Sequence, residues 1–296
     1  MMWMYAVRGK ELYATDLTSL SELNDFSSTV DWLWVDIFNP DEKEREIISE
    51  LLGNEPAIVE GIRRGTYNPP GVYTRYERLH DYALLSIPSV DLDEQLRIYP
   101  IFIVVKNKNL ITWGEEQEHS HSRIIKSTTR RFREYVEEGG KATSSLVISM
   151  LFREVASKNS EAILSLRDSI DHIEEKNLHG RKQAIHSVFS LKKKVSTLYR
   201  LLMSERELML DVKERVIPRV ELDEKTESIV DDTIEALSRE LELLTSCDRA
   251  LDTILTLQDL ASIHRVESSI NYLTIILVIG TAILIVLEVM AKSGGH

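Results

Sequence analysis

Glu267, Thr274, Thr281 and Glu288 stand seven residues apart. They are the only Glu and Thr side chains from position 267 to the end of the 296-residue chain. The last three lie in an apolar run, Ile270 to Met290, which has no charged side chain between Ile270 and Leu287. In helices packed as a left-handed bundle, a seven-residue repeat stays on one face. The four residues would then put carboxylates and hydroxyls along a single line. Such oxygen rings are chemistry for cations in a pore, and a charge within a membrane helix belongs on a bundle interior or in water. Two plainer uses stay open: threonines that bond back to their own helix or sit at helix contacts, and a Glu288 at the membrane interface, paired with Lys292. On neighbouring lines Ile270, Leu277 and Leu284 repeat every seven residues, with Leu273 beside them. Apolar rings gate pores by dewetting, and the same residues serve equally as packing or lipid contacts.

Away from that run the candidate metal chemistry is carboxylate. Asp91, Asp93 and Glu94 fall in a turn between two strand-like segments, and hard cations such as Mg²⁺ take oxygen ligands. Glu115, Glu116, Glu118, His119 and His121 form a second cluster, suited to Zn²⁺ or Ni²⁺ or simply solvated in a polar linker. Lys192-Lys193-Lys194 and Arg130-Arg131 with Arg133 read as solvated helix faces or partners for acidic helices. No nucleophile elbow, phosphate loop or Ser-His-Asp arrangement occurs, which argues against an enzyme.

The elements that position these residues follow from pattern. About 18 apolar residues suffice to cross a hydrocarbon core, so Ile270 to Met290 is expected to be a transmembrane helix, with the bulk of the protein on one side, in the cytoplasm. The N-terminal residues lack an apolar core long enough for a signal peptide, so insertion is expected to be directed by the C-terminal helix. The formal net charge of −12 disfavours nucleic acid. Cys247 is the single cysteine, which excludes an intrachain disulfide and a Cys-based zinc site and fits a reducing compartment. Leu33–Ile37, Arg75–Leu79, Tyr82–Ile87, Ile98–Val105 and Leu110–Trp113 read as strands, Asp41–Leu52 as a helix, and Gly61–Gly71 as a loop. From about Ser120 the apolar spacing turns helical: Thr143–Leu178, Arg181–Ile217, then Asp223 onward without a cap into the apolar run. Ile234, Leu237, Leu241, Leu244 and Leu251 form a stalk stripe with a gap at Asp248. The expected fold is an α/β N-terminal cytoplasmic domain (1–120), long helices completing it (121–222), an α-helical stalk (223–269) and one C-terminal transmembrane helix (270–291).

Several segments, in order, resemble the CorA family of magnesium and divalent-cation transporters. Trp34-Val35-Asp36-Ile37 with Pro40 is similar to the family's Trp-aliphatic-Asp-aliphatic strand, and Glu55-Pro56-Ala57-Ile58-Val59-Glu60 to its next helix start, with the leading His changed. Tyr76-Glu77 with Asp81-Tyr82, and Lys106 to Thr112, resemble its following strands. Leu191-Lys192-Lys193 through Arg206-Glu207 resembles its long helix, and Asp231-Asp232-Thr233-Ile234 the start of its stalk. The resemblance implies a funnel-shaped homopentamer around a pore that passes Mg²⁺, with Co²⁺, Ni²⁺ and Zn²⁺ as further candidates. It implies a hydrophobic constriction near Ile270 and Leu273. It also implies regulatory Mg²⁺ between subunits, held by Asp231 and, through the Asp91 and Asp93 turn, by a neighbour; Asp231 could equally be a helix N-terminal charge. The family's Gly-Met-Asn signature and second membrane helix have no counterpart in Ala291 to His296, so its ion-selecting loop maps onto no residue. The expectation is therefore a Mg²⁺ channel subunit gated by cytoplasmic Mg²⁺, with a non-conducting, membrane-anchored sensor or accessory protein as the rival.

Overall fold

The computed structural model describes residues 2–16, 29–51, 75–79, 82–93, 95–106, 109–114, 118–178, 185–217, 220 and 222–293. The Glu55–Glu60 motif, the Gly61–Gly71 loop, Glu94, Glu115 and Glu116 lie outside the described residues.

Seven strands form one sheet: β1 Met2–Arg8, β2 Glu11–Asp16, β3 Trp32–Phe38, β4 Arg75–Leu79, β5 Tyr82–Leu92, β6 Leu96–Lys106 and β7 Asn109–Gly114. Their order is β2-β1-β3-β7-β6-β5-β4. β3 and β7 run parallel, with Asp36 opposite Thr112; the other neighbours are antiparallel. Strand side chains alternate between faces, and in β3 both faces are buried. Trp32, Trp34 and Asp36 point to one side, Leu33, Val35 and Ile37 to the other. The second side is covered by α1 (Glu42–Leu51) through Ile47. A capping box starts α1: the Glu44 amide donates to Asp41 Oδ1 (2.8 Å), and the Asp41 amide to Glu44 Oε2 (3.0 Å).

The β1–β2 hairpin at the sheet edge extends the α/β domain beyond the strands expected from pattern. Its turn needs Gly9 in the left-handed region (φ 61°), and the Gly9 amide donates to Asp31 Oδ2 (2.9 Å).

Four helices follow: α2 Glu118–Glu137, α3 Ser144–Leu178, α4 Ile185–Lys213 and α5 Glu224–Ser293. α2 begins where a polar linker was expected. It lies on the sheet and is pinned by Phe132, fully buried with its ring centroid 5.0 Å from that of Trp32. Truncating such a ring to alanine costs about 3–5 kcal/mol. α3 and α4 sandwich the first part of the 70-residue α5. The expected α5 stripe is present, and its gap is filled: Cys247, not Asp248, packs between Leu244 and Leu251. Burial raises the Cys247 thiol above its ordinary value, which keeps it inert. Lys192 of α4 reaches Asp248 (3.2 Å) and Asp252 (2.5 Å) of α5. Leu255 still packs against the core, but from Leu257 on the described apolar side chains of α5 are uncovered: Leu257, Leu260, Ile263 and Val266 are about half-exposed or more.

Gly114 closes β7 where α2 crosses it. A Cβ there would stand 2.5 Å from Nδ1 of His121, far inside contact distance. Gly114→Ala is therefore expected to push the imidazole off the sheet and lower stability by about 1–3 kcal/mol, read as a lower urea midpoint for the full chain in detergent.

Candidate ion pathway and cation-binding residues

The apolar end of α5 is a candidate membrane span. Among the described residues, Val266–Ile285 is the one stretch long and apolar enough: 20 residues, mean hydropathy 2.0, with no part buried. At 1.5 Å per residue it is about 30 Å long, the thickness of a bilayer's hydrocarbon core. Glu267, Ile270, Leu273, Thr274, Leu277, Thr281 and Leu284 are all exposed. Leu273, Leu277 and Leu284 are the barest of these leucines, at 65%, 71% and 67%. The helix carries Glu288 as well, whose side chain lies outside the described ones.

Both threonine hydroxyls donate to their own helix, Thr274 to the Ile270 carbonyl and Thr281 to the Leu277 carbonyl, each at 2.8 Å. This back-bonding satisfies the hydroxyl protons without a partner helix. It leaves the oxygen lone pairs free, and those are what a cation would use. At the near end, Glu267 lies 3.5 Å from His264.

The carboxylates of the second expected site are separate within one chain. Asp91 ends β5, where Lys158 of α3 pairs with it at 2.6 Å and the Ser120 hydroxyl donates to it at 2.7 Å. Burial alone would raise the Asp91 carboxyl; the hydrogen bonds from Lys158 and Ser120 outweigh it and hold the group below its ordinary value. Asp93 is exposed beyond the strand end. Asp231, in the second turn of α5, pairs with Lys213 at 2.7 Å, and this hydrogen bond and charge raise the lysine. Among the described residues no three His, Cys, Asp or Glu side chains are grouped to hold a metal ion. The structure therefore brings none of Asp91, Asp93 and Asp231 together within a chain, and each of the two paired aspartates already has a lysine.

His121 corrects the expectation of a solvated linker histidine. Its side chain is 5% exposed, and Nε2 sits 3.1 and 3.2 Å from the two oxygens of Asp36. The Trp34 indole donates to Thr112 Oγ1 (2.9 Å), and that hydroxyl donates to Asp36 (2.6 Å). The Trp-x-Asp pattern of β3 and the threonine of β7 thus build one buried hydrogen-bond chain, and His121 locks α2 onto it. These residues hold the sheet and α2 together.

A second buried polar group drew no attention from pattern. Glu205 of α4 is 1% exposed and accepts from the Asn159 amide of α3 at 3.2 Å. Ser160 hydrogen-bonds Glu240 of α5. The signal was present, because Glu205 occupies an apolar position between Leu202 and Leu208 on the buried stripe of α4.

A profile of the CorA-like Mg²⁺ transporter protein matches residues 30–282. The chain belongs to this family. The CorA family is one of membrane transporters, and the exposed apolar end of α5 agrees with that. The complete CorA magnesium transporter from Methanocaldococcus jannaschii shares the fold with a TM-score of 0.71 at 14% identity, over 93% of this chain and 81% of that one. The soluble domain of the same organism's CorA gives 0.67 at 15% identity, over 86% and 95%. The ZntB cytoplasmic domain from Vibrio parahaemolyticus gives 0.59 at 11% identity, over 90% and 98%. No curated protein matches in sequence. The CorA soluble domain and stalk are thus the architecture of this chain, as its motifs suggested.

Lys158→Met would leave Asp91 without its cation and is expected to cost about 1–2 kcal/mol at neutral pH. The Asp91 carboxyl is lowered on folding, so this contribution is present above the unfolded value of 3.8 and is lost as pH falls through the lower folded one. The gap between wild type and variant in urea unfolding should therefore narrow in acid.

Proposed function

We propose that this chain is a subunit of a homo-oligomeric channel for Mg²⁺, with related divalent cations as further cargo, whose pore is lined by the last part of α5. The observation that carries this reading is the single uncovered helix, in which Glu267, Thr274, Thr281 and Glu288 share one heptad line. Copies packed around an axis, five by resemblance to the family, would turn the line inward. Carboxylate rings at its two ends would concentrate cations. Thr274 and Thr281 would offer hydroxyl oxygens whose protons are already committed to the helix. Ile270, Leu273, Leu277 and Leu284 flank that line, so a small rotation of α5 would exchange oxygen for apolar rings and close the pore by dewetting. The bulk of the protein would lie in the cytoplasm, with a single pass through the cell membrane.

Regulation by cytoplasmic Mg²⁺ fits Asp231 of one subunit and the Asp91–Asp93 strand end of the next. There the ion must displace Lys213 and Lys158 or share the carboxylates with them. Mg²⁺ keeps several waters and uses one or two carboxylates, so an interface site of this kind needs no cage within one chain. The rival is a membrane-anchored CorA-like protein that does not conduct. One observation favours it: Thr274 and Thr281 are satisfied within their own helix and need no water-filled pore.

Mg²⁺ uptake into liposomes holding the full-length protein separates the two. Flux is expected, and Thr281→Val should lower it several-fold without changing the oligomer; absence of flux from intact oligomers would favour the rival. Asp231→Ala is expected to weaken the protection that Mg²⁺ gives the cytoplasmic body against protease, and unchanged protection would remove Asp231 from the site.

A further inference from the structure

We propose that Glu205 and Glu240 form a proton-binding site at the junction of the sheet, α3, α4 and the stalk, which holds the stalk down when protonated and loosens it when ionised. The inference goes beyond ion transport and does not require that the chain conduct.

The geometry carries it. Glu205 is sealed in the interior, and one side chain hydrogen-bonds it: the Asn159 amide, 3.2 and 3.4 Å from the two carboxyl oxygens. Asn159 is itself fully buried and committed elsewhere. Its Oδ1 accepts from the Val90 amide (2.8 Å), and its amide also donates to the Pro88 carbonyl (3.1 Å). One shared amide cannot replace the hydration of a carboxylate, so the buried group favours its neutral form. Glu240 reaches the same interior from α5. One of its oxygens meets the Ser160 hydroxyl. The other is buried with no hydrogen-bond partner among the described residues.

Among the described residues no cation is in hydrogen-bond contact with the pair. On α4, Arg206 donates to Ser238 (3.0 Å). On α5, Arg239 pairs with Glu235 (2.5 Å), and Asp232 lines the groove outside. On α3, Lys158 is held by Asp91 and Glu161, and Arg153 lines the groove outside. From β5 the pair meets the peptide groups of Pro88 and Val90, relayed by Asn159. Burial raises the Glu240 carboxyl to about 7, with Arg239 working weakly against it. Burial first, then the charge of Glu240, raises Glu205 well above its ordinary value, with Asn159 opposing. Each carboxylate makes the other harder to ionise, so the two titrate as a coupled unit.

A path for the proton is present. Ser160 and Glu240 line a groove of about 400 Å³ between α3 and α5, while Glu205 is shut off behind them. Protons therefore enter and leave through Glu240. The folded pKa values lie above the unfolded ones. The stabilisation is thus complete in acid, below the ordinary glutamate value of 4.5, and is lost as pH rises through about 7. Ionising Glu240 beside Glu205 places two carboxylates across the α4–α5 contact. That contact lies within the buried stripe by which the body holds α5, between Leu237 and Leu241.

The test uses the full-length protein in lipid nanodiscs. Infrared spectroscopy should show the carbonyl stretch of a protonated carboxyl persisting above pH 6. Glu240→Gln should remove the step near pH 7, and Glu205→Gln/Glu240→Gln should remove the band. The unfolding constant should rise between pH 6 and 8, by at most about tenfold per pH unit for each proton held, and the double variant should be flat over this window. Amide exchange around Glu240, taken at each pH relative to the double variant so that intrinsic rates cancel, should rise several-fold over the same window. The proposal is overturned if no protonated carboxyl exists above pH 6, if the pH dependence survives in the double variant, or if stalk exchange does not change. Should the double variant fail to fold, Glu240→Gln at its half-buried position decides alone by the presence or absence of the step.

Discussion

An apolar helix with nothing around it cannot remain so in water, and the rest of the molecule depends on how that surface is covered. From Leu257 to Ile285 the large apolar side chains described on α5 are exposed. Burying such surface yields about 25 cal/mol per Å², and the described residues of the body leave it uncovered. A hydrocarbon core would cover the segment from Val266. The stretch just before it, with Leu257, Leu260 and Ile263, lies between the body and the apolar span and is exposed as well. One helix thus carries two exposed apolar stretches in succession, and the second has the length of a membrane span.

The body of sheet and helices is the counterweight. It grips α5 over its first half through Leu237, Leu241, Leu244, Cys247, Leu251 and Ile254, and through Lys192 at the far end of the grip. It is itself stiffened by the Trp34–Thr112–Asp36–His121 chain, which ties β3, β7 and α2 together in a dry interior. Buried polar chains of this kind are costly when any member is missing. That is a sufficient reason for the Trp-x-Asp pattern and the β7 threonine to occur together. The polar contacts among Asn159, Glu205, Ser160 and Glu240 then join this rigid block to the stalk at a point where hydrophobic packing alone would have been stronger but insensitive to conditions.

Much of this was legible in the sequence because it rests on periodicity. β3, β5, β6 and β7, the three long helices, the stalk stripe and the membrane span all announce themselves as apolar repeats of two or of three and four. The β1–β2 hairpin did not, because β2 is an edge strand exposed along nearly its whole length and alternation has nothing to mark there. α2 was hidden by its polar first turn. His121 looked solvated among Glu115 to His119, and only the fold brings Asp36, 85 positions away, against it. Lys158 and Lys213 were ordinary surface charges until the tertiary structure placed Asp91 and Asp231 beside them. Cys247 filled the gap in the stripe because it follows Leu244 by three residues and precedes Leu251 by four, which puts all three on one helix face.

The unbroken course of α5 makes the body and the membrane segment one lever. From Ile254, the last residue of the grip, to Ile285 the helix extends by about 47 Å at 1.5 Å per residue. Tilting it by about 5° at the grip would sweep the far end sideways by about 4 Å, comparable to the width of a methyl group. Small changes in packing around Leu251 and Ile254 are therefore magnified at the membrane. The absence of any proline from residue 224 to the end of the helix means that no hinge absorbs the motion on the way.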